Sequence, residues 1–327
     1  MLYLGSMKRI PNAAHLLLGI FLIFHFNPLW GQSGESKPWM YTHQGDTLIG
    51  TKITVENSPG ILLIVAGSGP TDRNGNNTMG LHTDAYKKLA ESFADMGWSS
   101  VRYDKRGIAG SAAAATRESE LLPSDYIDDI QGIILQLEKD HGLIVLVGHS
   151  EGAIHCGMAL KNASLTYPFI SLEGPGRSLD ITLKEQLKTK LNADLYSRAE
   201  AKIDSIKKGY TAHDKHFIWQ NLFRVSVQPY MRQLFTMVPC EIYPQLKGLV
   251  YVIDGGHDIQ ITDAERNQLA ECLPQALFVT IPKMTHVLVN SESSNDTKVY
   301  NQPDLPISPE LIKTLNTILN QRIPSGK

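Results

Sequence analysis

The chain has 327 residues, of which 42% are hydrophobic and 20% charged, with a formal net charge of −2. That is enough apolar material for a large core in one α/β domain. The near-neutral balance offers no basic surplus, which argues against nucleic acid or an anionic membrane surface as a partner.

Lys8 and Arg9 precede an apolar run from Leu16 to Phe26, and the small residue Gly31 follows. This order reads as a secretory signal peptide over residues 1–31, cleaved near Gly31-Gln32, with Met7 as an alternative start. At roughly eleven residues the run is short for a bilayer core of ~30 Å. A secreted or periplasmic location is therefore expected for residues 32–327. Export permits disulfides. Of the three cysteines, Cys240 and Cys272 could pair, although sequence alone leaves this open, and at least one thiol stays free. Cys156 reads as a buried thiol. No C-x-x-C spacing points to a metal.

Trp39 to Val55 reads as a hairpin turning at Gln44-Gly45-Asp46. Ile61 to Ala66 is a continuous apolar run, as a strand buried on both faces requires. Asp84 to Met96 has helical spacing at Tyr86, Leu89, Ala90 and Phe93 and stops at Gly97. Trp98 to Tyr103 is the next strand. A helix follows over Ser124 to Leu137, with Ser124 as its expected N-cap and Ile127, Ile130, Ile134 and Leu137 on one face. Leu143 to Val147 is a strand, Ala153 to Leu160 a helix, and Phe169 to Leu172 a strand. From about 178 to 246 the chain turns charged and helical, with Leu183, Leu187, Leu191 and Leu195 spaced by four. Strands return at Leu249 to Ile253 and Leu277 to Ile281, separated by a helix over Asp263 to Cys272. Ser291 to Pro306 reads as a surface loop, and Pro309 to Leu319 as a closing helix. This alternation implies a mainly parallel sheet covered on both faces. The helical stretch at 178–246 would be a lid inserted after a strand.

The chemistry is concentrated at Gly148-His149-Ser150-Glu151-Gly152, directly after the apolar run. A strand entering G-x-S-x-G with a helix beyond it is a nucleophile elbow. The sharp turn strains the backbone at Ser150, and side chains at 148 or 152 would crowd it. A serine hydroxyl is a weak nucleophile and needs a general base, which in turn needs an orienting acid. In this architecture the chain order is Ser, then Asp or Glu, then His. His286 follows the last strand across Pro282-Lys283-Met284-Thr285 and is the expected base. Two acids are near the end of the preceding strand. Asp258, beyond the turn Gly255-Gly256-His257, is preferred, and Asp254 is the alternative. The oxyanion donors are expected to be the backbone N–H of Glu151 and that of Ser68 or Gly69, in the loop Gly67-Ser68-Gly69-Pro70. The Glu151 side chain itself is expected to face solvent or sit in a salt bridge. Asp72-Arg73 and Tyr103 to Gly107 are charge-dense loops at the same edge, which could bind substrate carboxylates but are expected rather to pair with each other and fix the oxyanion loop.

At these residues the chain resembles the bacterial α/β-hydrolases grouped with serine aminopeptidase-like (S33-type) hydrolases and esterases. The resemblance rests on Gly67 to Asn76, Arg102 to Gly107, the elbow, Gly255 to Gln260 and Met284-Thr285-His286, in that order. It implies an α/β-hydrolase fold with Ser150, Asp258 and His286 as nucleophile, acid and base. One departure is Thr285, where Asn often precedes the histidine.

The expectation is a secreted serine hydrolase that cleaves small carboxylic esters through an acyl-enzyme, with no metal or organic cofactor. Trp219, Phe223, Tyr230 and Phe235 would either line an acyl or alcohol pocket or pack the lid's own core. A first rival is an aminopeptidase or amidase, which would need a lid carboxylate such as Glu185, Asp194, Glu200 or Asp204 to grip an ammonium. A second is a non-catalytic binding protein on the same scaffold. The oligomeric state is not legible.

Overall fold

The computed structural model describes residues 34–323, apart from 116, 162, 164, 214–216 and 221. The expected signal peptide at 1–31 lies outside the described residues. Strands β1 (Glu35–His43) and β2 (Asp46–Thr54) form an antiparallel hairpin. Its turn residues Gln44 and Gly45 both have positive φ, at 51° and 92°, as a two-residue hairpin turn requires. Six further strands follow: β3 (Ile61–Val65), β4 (Ser99–Tyr103), β5 (Ile144–His149), β6 (Phe169–Leu172), β7 (Val250–Gly255) and β8 (Leu277–Ile281). All eight form one sheet in the order β1-β2-β4-β3-β5-β6-β7-β8. β2 runs antiparallel to β4, and every pairing from β4 to β8 is parallel.

The continuous apolar runs are explained by two cores, one on each face. Ile61, Leu63 and Val65 point into one, and Leu62 and Ile64 into the other, because side chains alternate along a strand. The helices α1 (Ala85–Asp95) and α9 (Pro309–Thr317) cover the second core. On the first face lie α2 (Pro123–Leu137) and α3 (Glu151–Lys161), joined by Leu269 and Leu273 from α8 (Asp263–Cys272) and its end.

Ser124 is not the N-cap of α2. Leu122 holds that position, Pro123 occupies the first helical turn, and the Asp125 carboxylate accepts the Leu122 N–H at 2.7 Å. Proline fits there because its missing N–H would have no helical partner anyway.

Between β6 and β7 come α4 (Leu179–Lys190), α5 (Ala193–Lys207), α6 (Gln228–Leu234) and α7 (Pro239–Ile242), with short 3₁₀ turns. The four-residue leucine spacing runs through a break. Leu191 is extended, and the Asn192 side chain caps α5 by accepting the Leu195 N–H at 3.0 Å. The segment has its own small core of Ala199, Ile203, Ile206, Trp219, Phe223, Met231 and Phe235, with the spaced leucines packed against it. Buried Glu265 of α8 anchors its start, accepting bonds from the Gly176 and Arg177 amides, the Arg177 guanidinium and the Thr182 hydroxyl. A Cys240–Cys272 disulfide ties its end to α8, and Cys156 is free and buried. Within the expected loop 291–306, Thr297–Asn301 forms a 3₁₀ turn and Val299 is buried against Val287 and Val289. Among the described residues no helix is long and apolar enough to cross a membrane.

Candidate active site

Ser150 occupies the turn between β5 and α3 with φ of +54°. For a non-glycine residue that is a strained conformation. The flanking glycines make it sterically feasible. A Cβ on Gly148 would stand 2.6 Å from Ala153 Cα, and one on Gly152 would stand 2.5 Å from the Val65 carbonyl. The Ser150 N–H donates to the Leu172 carbonyl at 2.9 Å, so β6 holds the turn. Because α3 starts at Glu151, its unpaired N-terminal amides and the positive end of its dipole lie beside the serine.

His286 lies in the loop after β8 and Asp258 in the loop after β7, both at the carboxyl edge of the sheet. His286 Nδ1 bonds Asp258 Oδ2 at 2.7 Å, with the carboxylate fully buried. The other Asp258 oxygen accepts the Gln260 and Ile261 amides at 2.6 and 3.0 Å. Burial alone would raise the Asp258 carboxyl, but the His286 ring and these bonds outweigh it and hold it below its ordinary value. Asp254 remains at the strand end, where neither oxygen finds a hydrogen-bond donor. Its burial pushes it up to about 7. Thr285 donates its hydroxyl to the Val289 carbonyl at 3.0 Å and so braces the histidine loop.

A chain of buried hydrogen bonds connects these pieces, and the sequence reading did not anticipate it. The Gly67 N–H donates to the Tyr86 hydroxyl at 3.0 Å, and that hydroxyl meets His149 Nδ1 at 2.8 Å. His149 Nε2 meets the His286 carbonyl at 2.8 Å. A carbonyl can only accept, so the hydrogen is on Nε2 and Nδ1 accepts from the tyrosine. Burial, reinforced by the nearby His286 ring, lowers His149 to about 3, so the ring is neutral. The second residue of the elbow motif thereby joins the oxyanion loop to the histidine loop. The rings of His149 and His286 are 4.8 Å apart between centroids.

A Cβ on Gly67 would stand 3.0 Å from Ser150 Cβ, so this loop passes directly beside the serine. With its N–H engaged by Tyr86, Gly67 leaves the next two amides, Ser68 and Gly69, as the loop's donors. Both residues are exposed. Buried Lys105 fastens the loop from below, donating to the Gly67 and Gly69 carbonyls at 2.5 and 3.0 Å. The charge-dense loops pair as expected, through Arg73 and Asp104 at 2.5 Å.

The Glu151 side chain corrects the sequence expectation. It is buried and accepts a 2.5 Å hydrogen bond from the Tyr230 hydroxyl of α6. His155 is 3.7 Å away. Burial lowers His155 to about 4, so the contact is not an ion pair at neutral pH. Tyr230 thus reaches the elbow, whereas Trp219, Phe223 and Phe235 pack within the helical segment. Among the described residues one group of possible metal ligands emerges, Glu173, Asp258 and His286, with ligating atoms all within 4.8 Å of one another. Two of its members are already bonded to each other.

Comparison with known proteins bears on the fold. Residues 77–174 match the family model described as serine aminopeptidase, S33. An esterase of Pyrococcus furiosus superposes with a TM-score of 0.56 at 14% identity, over 90% of this chain and 93% of that one. The thioesterase domain from the curacin biosynthetic pathway does so with a TM-score of 0.54 at 13% identity, over 88% and 100%. The acylaminoacyl peptidase of Pyrococcus horikoshii gives 0.56 at 14% identity, over 90% of this chain and 43% of that one. The chain has the α/β-hydrolase fold. No curated protein matches the chain in sequence. Its family match contains the elbow and β6, while Asp258 and His286 lie beyond it.

Proposed function

We propose that this protein is a hydrolase, an exported serine esterase acting on small carboxylic esters. The observation that carries the reading is the buried 2.7 Å bond between His286 Nδ1 and Asp258 at the sheet edge that also presents the strained Ser150. In the proposed reaction Ser150 Oγ attacks the ester carbonyl carbon. Nε2 of His286 takes the hydroxyl proton, and Asp258 keeps the ring oriented and stabilises its charge. The amides of Glu151 and of Ser68 or Gly69 hold the tetrahedral oxyanion. Collapse returns the proton to the departing alcohol and leaves an acyl-enzyme. Water activated by His286 then releases the acid and regenerates Ser150.

An ester is favoured over a peptide with a free amino terminus because the chain's own cations already occupy most carboxylates of α4 and α5, with Glu200 and Asp204 both facing Lys184 and Asp180 facing Lys207. Glu185 pairs with Arg177, and Asp204 with Lys184. Glu200 bonds the Tyr196 hydroxyl, and Asp194 is exposed on the first turn of α5. The helical segment would act as the lid, with Tyr230 its point of contact with the elbow. The Cys240–Cys272 disulfide fits an oxidising compartment. The test is hydrolysis of 4-nitrophenyl acetate, butyrate and octanoate beside amino-acid 4-nitroanilides. Ester turnover is expected to exceed anilide turnover. Ser150→Ala should lose on the order of 10⁴-fold or more in kcat. Anilide turnover exceeding ester turnover would overturn the ester assignment, and an unaffected Ser150→Ala would overturn the nucleophile.

A further inference from the structure

Glu173 follows β6, and its carboxyl is completely buried. Its backbone is left-handed, with φ of +51°, a conformation in which a glutamate is an unusual choice. Strain of this kind persists where the side chain is needed in place. A carboxylate oxygen of Glu173 lies within 4.8 Å of both an Asp258 oxygen and a His286 ring nitrogen. A Cβ on Gly255 would stand 2.6 Å from Glu173 Oε1, so only a glycine lets the carboxyl occupy this site. Neither Glu173 oxygen has a hydrogen-bond partner of good geometry, and the Gly255 amide acts on the carboxyl only weakly. Its polar neighbour is the Asp258 carboxylate, and two ionised carboxylates are both acceptors. They can bond only if one of them keeps a proton.

Asp258 is the one held ionised, by His286 and two amides. We propose that Glu173 is a positioning residue that stands protonated and donates its hydrogen to Asp258, fixing the acid that orients His286. This rests on the triad reading given above. Burial first, and the Asp258 charge second, push the Glu173 carboxyl well above its ordinary value, with the Gly255 amide opposing more weakly. Among the described residues, the other titratable groups facing this cluster are Asp254 at the end of β7, Tyr300 from the 3₁₀ turn Thr297–Asn301, and the neutral ring of His149 beside His286. None of them supplies a positive charge that would ionise Glu173. A carboxylic acid kept neutral so that it can donate a hydrogen bond is an established use of burial. The arrangement leaves one negative charge beneath the imidazole instead of two.

The test compares wild type with Glu173→Gln and Glu173→Leu. The readouts are the pH dependence of kcat/KM for 4-nitrophenyl butyrate, labelling of Ser150 by a fluorophosphonate, and the infrared carbonyl band of a protonated carboxyl. Glutamine keeps a neutral donor, so Glu173→Gln should stay within about threefold of wild type with its acid limb unmoved. Glu173→Leu removes the donor and should lower kcat by roughly tenfold to a hundredfold with KM little changed. The infrared band present in wild type at pH 8.5 should be missing in Glu173→Gln. An acid limb displaced downward by about one pH unit in Glu173→Gln would mean that a negative charge had been removed, and would overturn the proposal. So would a Glu173→Leu enzyme equal to wild type. If Glu173→Leu does not fold, the glutamine variant still decides the charge. Failure of the triad reading looks different: Ser150 would go unlabelled, while the infrared band would still report the Glu173 proton.

Discussion

Four carboxylates of the sheet edge and four of the helical segment can be set side by side. The carboxyls of Glu151, Glu173, Asp254 and Asp258 are buried; Glu151 meets a hydroxyl, Asp258 a histidine and two amides, and Glu173 lies against Asp258, while Asp254 finds no donor. In the segment, Glu185, Glu200 and Asp204 lie near Arg177 or Lys184 with side chains nearly half exposed, and Asp194 faces solvent. The first group is arranged by desolvation, which punishes charge unless it is specifically bonded. The second is arranged by solvent, which allows charge and gains little from pairing. The contrast locates where free energy is stored. The sheet edge holds Glu173 and Asp254 away from their ordinary protonation, while the exposed charges of the helical segment add only weak, screened contacts to its own core, the disulfide and the Glu265 anchor.

Asp254 gives the largest effect on stability expected from this contrast. An unfolded chain releases its proton near 3.8, whereas the folded one keeps it up to about 7. The folded state therefore binds more protons over that window. The stability linked to this group is complete below the unfolded value and is lost as pH rises through 7. At about 1.4 kcal/mol per unit, the loss is about 4 kcal/mol above that window. Urea unfolding of Asp254→Asn should show a gain of up to this size at pH 8 that fades towards pH 4. An equal gain at both pH values would mean that desolvated charge is not the cause.

Tyr86→Phe comes next. It strands the Gly67 N–H and His149 Nδ1, two buried groups that cost about 1–3 kcal/mol each when unpaired. Steady-state kinetics should show kcat down roughly tenfold with KM nearly unchanged. A normal kcat would separate the two loops that the hydrogen-bond chain joins. The smallest effect belongs to Lys184→Ala, which removes the 2.6 Å contact with Asp204. Thermal unfolding should shift by less than about 1 kcal/mol, and 1 M salt should erase the difference. A larger, salt-resistant loss would place that pair among the buried contacts instead.

Much of the fold was legible because it follows from period and punctuation. Ile61 to Val65 and Ile144 to Val147 are apolar at every position, as strands with a core on each face must be. The elbow was legible because few residue combinations fit so tight a turn. Chain order then pointed to Asp258 and His286, whose side chains are 2.7 Å apart. The cap of α2 went to Ser124 when Pro123 was the better signal, since proline marks the first helical position. Tyr86 had a place in a helical stripe, and nothing local distinguishes a packing tyrosine from one that reaches His149. Tyr230 and Glu151 meet across residues far apart in sequence, so their bond exists only after folding. Glu173 did carry a local hint, an acid closing a buried apolar strand before Gly174-Pro175. Its partner Asp258 was visible only in three dimensions.

The bond from His149 to His286 spans 137 positions of the chain, and the same buried chain of contacts starts back at Gly67. A polypeptide that has joined β3 to β5 possesses its serine and one loop, but no base. The proposed base is in place only once β7 and β8 have docked at the far side of the sheet, a long-range parallel pairing of the slow kind. If the proposed triad holds, return of activity after dilution from denaturant therefore requires these two strands to be paired, whichever strands pair first.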